Sequence, residues 1–241
     1  MRKVFRVSAA GLIAAVAAGT AAAPATAADL LRIGTVKIAA AAPLFIAAAR
    51  GYFAADGIDA QITYFVSPGP VPLAVASGAV DVASTGSSAE LYTLAASGAF
   101  KIIASQAHEW PGFHMNALVV SNRAAAAGLK SFADMPGHTV GVAEFGGPAH
   151  YGGALLLEKH HVGLKAVRFE ALQSNPNVLS AVIGGRVDTA VLPATNVVPA
   201  EQRGDLKILG WVGDEAPWQF GLAYTSTKAA NDRHETVEKF L

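Results

Sequence analysis

AVASGAVDVASTGSSAE, Ala74 to Glu90, carries the reading of the fold. It runs through a helical end, a glycine stop, a Val-Asp pair, a short apolar strand and a polar turn. A second stretch, AVIGGRVDTAVLPATN from Ala181 to Asn196, repeats that order. Ala74, Gly78, Val80 and Asp81 match Ala181, Gly185, Val187 and Asp188 at one constant offset. Chance resemblance in an Ala/Val/Gly-rich chain is the competing reading. Two lobes of similar α/β design are the expectation drawn here.

Working outward, strand-like runs alternate with helix-like ones. Leu31 to Val36 reads as a strand, Pro43 to Ala55 as a helix with proline in its first turn, and Asp59 to Phe65 as a strand. Val71–Ser77 (helix), Val80–Ser84 (strand), Ser87–Ser97 (helix) and Lys101–Ser105 (strand) follow. The alternation restarts with His138–Ala143, Ala149–His161, Val167–Ala171, Asn177–Ile183, Val187–Leu192 and Leu206–Leu209. A βαβα order implies mostly parallel sheets flanked by helices. The expected organisation is a segment 1–27 ahead of a first lobe at 28–122, a second lobe at 123–221, and a return to the first lobe at 222–241. The Ala/Gly-rich stretch Asn122 to Lys130 is the expected first crossing, and Gly221 to Ser226 the second.

The N-terminus has the order of a secretory signal peptide: basic Arg2, Lys3 and Arg6, apolar Val7 to Ala23, then small residues Ala25-Thr26-Ala27. Cleavage is expected near Ala27 or Ala28. No later run supplies the about 20 apolar residues of a spanning helix. The chain has no cysteine, which excludes disulfides, thiolate metal sites and a lipid-modified cysteine. The charges balance at 18 basic and 18 acidic residues, and loss of the first 27 leaves 15 against 18. A scattered, slightly acidic charge set argues against nucleic-acid binding. The 52% hydrophobic content argues for an ordered globular body.

Ligands of open α/β sheets sit beyond the carboxyl ends of strands, where helix N-termini offer free N–H groups. Three loops fit: Gly86-Ser87-Ser88, Gly146-Gly147-Pro148-Ala149-His150, and Pro193-Ala194-Thr195-Asn196. Ordinary helix capping is the alternative for each. The aromatic segment His108 to His114, with Trp110, is expected to close over the cleft, a surface loop with one buried Trp being the alternative; Trp218 and Phe220 are expected to line the same mouth, with core roles as the alternative. Glu109 and Glu144 are the acids that would suit an ammonium group on a ligand. No G-x-S-x-G, P-loop or H-E-x-x-H motif is present, so no catalytic residue, metal ligand or cofactor is assigned.

Three longer stretches carry a family resemblance. They are APLFIAAARGYFAADGIDAQITYF (Ala42–Phe65), LAVASGAVDVASTGSSAELYTLAASG (Leu73–Gly98) and LKSFADMPGHTVGVAEFGGPAHYGGALLLEKHHVG (Leu129–Gly163). In that order they resemble the nitrate/sulfonate/taurine class of ABC-transporter substrate-binding proteins, which includes thiamine-precursor binders. The resemblance implies a two-lobed periplasmic-binding-protein fold (type II-like) that closes over a small polar, anionic or zwitterionic ligand. It implies delivery to the membrane permease of an ABC importer from the periplasm, by a monomer. It places ligand contacts at Gly86, Ser87, Ser88, His150 and Tyr151, with Pro193, Thr195 and Asn196 as the second-lobe counterpart; the Gly-Ser-Ser and Ala-His-Tyr pieces look most like taurine binders. Members of the class continue with several helices after the return crossing, whereas this chain ends in a helix expected from Asn231, so either a fragment or an abbreviated first lobe is expected. The rivals are a thiamine-pyrimidine synthase of the same fold, which the missing cysteines disfavour, and a sensory ligand-binding domain.

Overall fold

A computed structural model describes residues 28–241; the signal-peptide reading lies outside the described residues. The chain runs β1 (Asp29–Val36), α1 (Ala42–Arg50), α2 (Tyr52–Ala55), β2 (Ile58–Phe65), α3 (Pro70–Ala76), β3 (Val82–Gly86), α4 (Ala89–Ala96) and β4 (Phe100–Glu109). It continues with β5 (Asn116–Ser121), α5 (Asn122–Ala126), β6 (Thr139–Val142), α6 (Pro148–Lys159), β7 (Arg168–Ala171), α7 (Asn175–Ile183), β8 (Thr189–Pro193), α8 (Ala194–Gln202), β9 (Leu206–Trp211) and α9 (Val212–Glu215). β10 (Trp218–Ser226), α10 (Thr227–Asp232) and α11 (His234–Phe240) complete it.

These strands form two five-stranded sheets, ordered β2-β1-β3-β10-β4 and β7-β6-β8-β5-β9. Each centres one α/β lobe. Both are mixed, with four strands running one way and one against them. β1 pairs in parallel with β2 and β3, and β6 with β7 and β8, but β10 and β5 pair antiparallel with both neighbours. The reason is the crossing. The chain leaves lobe 1 at the carboxyl end of β4, and β10 re-enters from that same end, with Trp218 opposite Glu109. A strand entering there must run against the others. β5 enters lobe 2 in the same way, with Asn116 opposite Pro193.

Sheet membership also moves the expected lobe boundaries. β5 lies inside the second sheet, so the first crossing is the segment 110–115, not Asn122 to Lys130, and lobe 1 does not extend to residue 122. All of β10 lies in the first sheet, so the return comes at residues 216–217, before Gly221. The Asn116–Ser121 strand is buried at every residue, its neighbours alternating between two core clusters: Leu118 and Val120 on one face, Ala117 and Val119 on the other. A strand apolar on both faces carries no period-2 signal. The expected helix Pro43–Ala55 is two helices, because Gly51 takes a left-handed φ of 73° at the C-cap of α1. The C-terminal helix is likewise two short ones.

The internal echo extends through three dimensions. Gly34 on β1 and Gly141 on β6 lie 107 residues apart, and a Cβ at either would press on equivalent side chains: Val71, Val80 and Phe65 at 3.1 to 3.3 Å, Val187, Leu172 and Val178 at 3.1 to 3.5 Å. Each of those pairs is also 107 apart. Asp81 accepts from the backbone N–H of Arg32 at 2.9 Å, and Asp188 from that of Thr139 at 3.1 Å, again at one offset. Gly78 and Gly185 both turn with positive φ, 74° and 68°. The two lobes are built on one plan.

Candidate functional site between the lobes

Because the lobes repeat, the carboxyl ends of β1, β2 and β3 face those of β6, β7 and β8. Between them lies a cavity of about 720 Å³. Lobe 1 lines it with the segments 36–38 and 64–68; lobe 2 lines it with 143–144, 147–149, 174–176 and 193–196 without Ala194. The crossing strands add Asn116 and Phe220. These volumes and mixed apolar and polar walls suit a small organic molecule.

Of the residues expected from sequence, Glu144, Gly147, Pro193, Thr195 and Asn196 line the cavity, and so does Phe220. Gly86, Ser87, Ser88, Trp110, His150 and Tyr151 do not. Each has another place. Gly86 lets the lobes touch, since a Cβ there would stand 2.6 Å from Pro148 Cγ. Ser87 donates its backbone N–H to the Phe220 carbonyl at 2.9 Å, while its buried hydroxyl has no partner among the described residues. Ser88 caps α4, accepting from Leu91 N–H at 3.2 Å. His150 shapes its own loop: Nδ1 accepts from Gly146 N–H at 3.0 Å, its ring meets Phe169 edge-on, and burial holds its pKa below the ordinary imidazole value. A neutral ring is what that acceptor role requires. Trp110 and Tyr151 are half-exposed; Tyr151 packs on Trp218 with ring centres 4.9 Å apart.

The charged, polar and aromatic lining residues that the sequence did not mark are Lys37, Tyr64, Phe65, Ser67, Asn116, Ser174 and Asn175. The echo held a signal for some of them. Lys37 precedes Glu144, and Ser67 precedes Ser174, by the same 107 residues. The aromatic wall and Asn116 had no comparable marker.

Glu144 crosses the cleft. Its Oε1 accepts from Gly69 N–H of lobe 1 at 3.0 Å. Burial pushes its carboxyl pKa up, hydrogen bonds from Ser67 and Gly69 oppose the rise, and the nearby Glu90 charge adds to it. A second bridge runs from Ala89 N–H of lobe 1 to the Gly146 carbonyl of lobe 2 at 2.8 Å. Lys37 lies over the Tyr64 ring, 5.1 Å from its centre.

Glu109, weighed from sequence as a cleft acid, belongs to the hinge instead. It is fully buried at the end of β4. Its carboxylate accepts from the N–H groups of Met115 at 3.0 Å and Asn116 at 2.6 Å, from Asn116 Nδ2, and from the Trp218 indole N–H. One side chain thus ties both crossings together. Burial pushes its pKa up, against those hydrogen bonds. α9 seals the outside of the hinge, with Gly213 so close that a Cβ would stand 2.8 Å from the Trp110 carbonyl oxygen.

With this geometry in hand, comparison places the chain. The NMT1/THI5-like family model matches residues 39–241. The chain belongs to that family. No curated protein matches it. Among solved structures, a Bordetella bronchiseptica protein is 24% identical with a TM-score of 0.73, covering 88% of this chain and 68% of its own. The alkanesulfonate-binding protein SsuA from Xanthomonas axonopodis pv. citri, bound to MOPS, is 18% identical with a TM-score of 0.73, over 90% of this chain and 72% of that one. The periplasmic nitrate-binding protein NrtA from Synechocystis is 15% identical with a TM-score of 0.67, over 87% and 58%. At these identities the likeness establishes the two-lobed periplasmic-binding-protein fold. Among the described residues no helix is long and apolar enough to cross a membrane, and no group of three His, Cys, Asp or Glu side chains is placed to hold a metal ion.

Proposed function

We propose that this family member is an extracytoplasmic solute-binding protein. It takes one small polar molecule, anionic or zwitterionic and sulfonate- or taurine-like, into the interlobe cavity and delivers it to the permease of an ABC importer. The observation that carries the reading is the cavity itself: corresponding loops of two repeated lobes wall it, so one ligand touches both. Contacts to both lobes favour the closed arrangement, and the permease reads that state. Export is supported by the basic, apolar and small-residue order of residues 1–27, with cleavage near Ala27 or Ala28.

A second reading has its own observation. Tyr64, Phe65 and Phe220 line the cavity, and flat aromatic rings suit stacking on a pyrimidine, the thiamine-precursor reading. Both readings make the protein a binder rather than an enzyme.

A thermal-shift screen followed by calorimetry tests the function. The panel holds taurine, alkanesulfonates, nitrate, bicarbonate, aromatic acids and thiamine-precursor pyrimidines. A ligand at 100 times its dissociation constant adds about 2.7 kcal/mol of apparent stability. One-to-one binding of a panel member is the expected result. A folded protein that shifts with none of them contradicts the reading.

A further inference from the structure

The repeat that relates the two halves of the cleft is broken in charge at one position. Lys37 follows β1 and Glu144 follows β6, at the offset that relates Gly34 to Gly141. Both line the cavity, and among its lining residues they are the one base and the one acid.

The surroundings of Glu144 call for a positive partner. Gly69 and Gly147 flank the carboxylate from opposite lobes, so closely that a Cβ on either would lie 2.8 Å from one of its oxygens. Glu90, in the first turn of α4, approaches the same loop: a Cβ at Gly146 would lie 3.6 and 3.8 Å from its two carboxylate oxygens. Glu90 Oε2 is buried with no hydrogen-bond partner among the described residues. A buried carboxylate oxygen without a donor is costly, and a second carboxylate beside it adds to the cost. A protonated nitrogen beside Glu144 in the cavity offsets the charge that Glu90 adds there.

Lys37 supplies the other half. It is exposed at the cavity wall and in no ion pair among the described residues. Three of the four helix starts around it lose a backbone donor to proline; α8, which begins at Ala194, does not. Pro70, Pro148 and Pro176 stand in the first turns of α3, α6 and α7, and proline carries no N–H. Among the lining residues the Lys37 ammonium is the one positive charge that an anionic group can meet.

We propose that the ligand is dipolar, with its protonated nitrogen held by Glu144 of lobe 2 and its anionic group by Lys37 of lobe 1. This rests on the binding-protein reading above and narrows it. A dipolar molecule spans the cleft and engages both lobes by charge, whereas a molecule with one charge engages one lobe. Simple alkanesulfonates and nitrate are then poor ligands.

Calorimetry on the folded protein decides it, with taurine and β-alanine as dipolar probes and ethanesulfonate, propionate and ethylamine as single-charge analogues. The expected result is one-to-one binding of a dipolar probe, with its single-charge analogues weaker by about tenfold or more. Glu144→Gln and Lys37→Met each weaken that binding by about tenfold, and Lys37→Arg keeps most of it. Folding of each variant is checked by circular dichroism; if Glu144→Gln is unfolded, the exposed Lys37 position decides. The proposal is overturned if a single-charge analogue binds as tightly as its dipolar counterpart. It is also overturned if folded Lys37→Met or Glu144→Gln binds like the parent protein, or if neither dipolar probe binds. In each of those cases, binding of another member of the wider panel leaves the binding-protein reading standing, and silence across the panel removes both.

Discussion

At the scale of single residues, the glycines around Glu144 matter for what they leave room for. Gly147 has an ordinary extended backbone, φ −76° and ψ 171°, which alanine adopts without strain. Its missing Cβ leaves the space that the Glu144 side chain fills, 2.7 Å from Cγ. Gly147→Ala meets the Glu144 side chain at Cγ, near its backbone, and is expected to cost stability while moving the carboxylate off its position. Stability should fall by about 1 kcal/mol or more, and ligand affinity by about tenfold. Differential scanning calorimetry beside a binding titration checks both halves. Glu144 is legible in the sequence as an acid that would suit an ammonium group on a ligand. Lys37 is not, since nothing local distinguishes it from any surface lysine. Only the long-range repeat, carried upstream of Ala74, marks it as Glu144's counterpart.

Among the elements, four helices start on a serine that ends or follows a strand or turn. Ser88, Ser121, Ser174 and Ser226 each accept a backbone N–H three residues on, at 3.2, 3.1, 3.4 and 3.0 Å. A serine at the carboxyl end of a strand reads equally as a cap and as a ligand donor, and the sequence gives no means to separate the two. The structure uses Ser88 as a cap. Ser88→Ala is therefore expected to lower stability by about 1 kcal/mol and leave ligand affinity within about twofold. Denaturant unfolding and titration of the same variant measure this; a selective loss of affinity would restore Ser88 to the binding site. The elements themselves were largely legible where βα alternation held. β5 and β10 were not, because strands buried on both faces lack alternation, and because their placement depends on the chain crossing twice between lobes.

The repeated Asp81 and Asp188 show how the two sheets respond to acid. In each, burial pushes the pKa up, but hydrogen bonds outweigh it: from Arg32 and Arg233 at Asp81, and from Thr139 and His138 at Asp188. Both pKa values end below the ordinary carboxylate value. A depressed folded-state pKa contributes stability above the unfolded value and loses it as pH falls. Asp188→Asn is thus expected to flatten the acid limb of the stability–pH curve below about pH 4. Unfolding at stepped pH in the parent and the variant reads the difference, and parallel curves would rule the linkage out.

For the whole molecule, the hinge and the cleft mouth decide how the lobes meet. Glu109 joins the ends of both crossings from a fully buried position. Glu109→Ala strands several buried donors and is expected to cost about 3 kcal/mol or more, seen as a lowered denaturation midpoint. At the mouth, Gly86 meets Pro148 across the lobes. A methyl group there meets a rigid ring, so Gly86→Ala is expected to hold the lobes apart, raising the radius of gyration in X-ray scattering and weakening ligand binding. Neither role was readable in advance. Glu109 is one acid among many until the two crossings are brought together, and the closeness of Gly86 to Pro148 exists only between lobes.

The central claim is that one small molecule is held between the two lobes. A crystal structure of the protein with its best calorimetric ligand tests it most directly. The account predicts density for one ligand in the cavity of about 720 Å³, in contact with side chains of both lobes, Lys37 and Glu144 among them. A ligand seated outside that cavity, or touching one lobe alone, would contradict it.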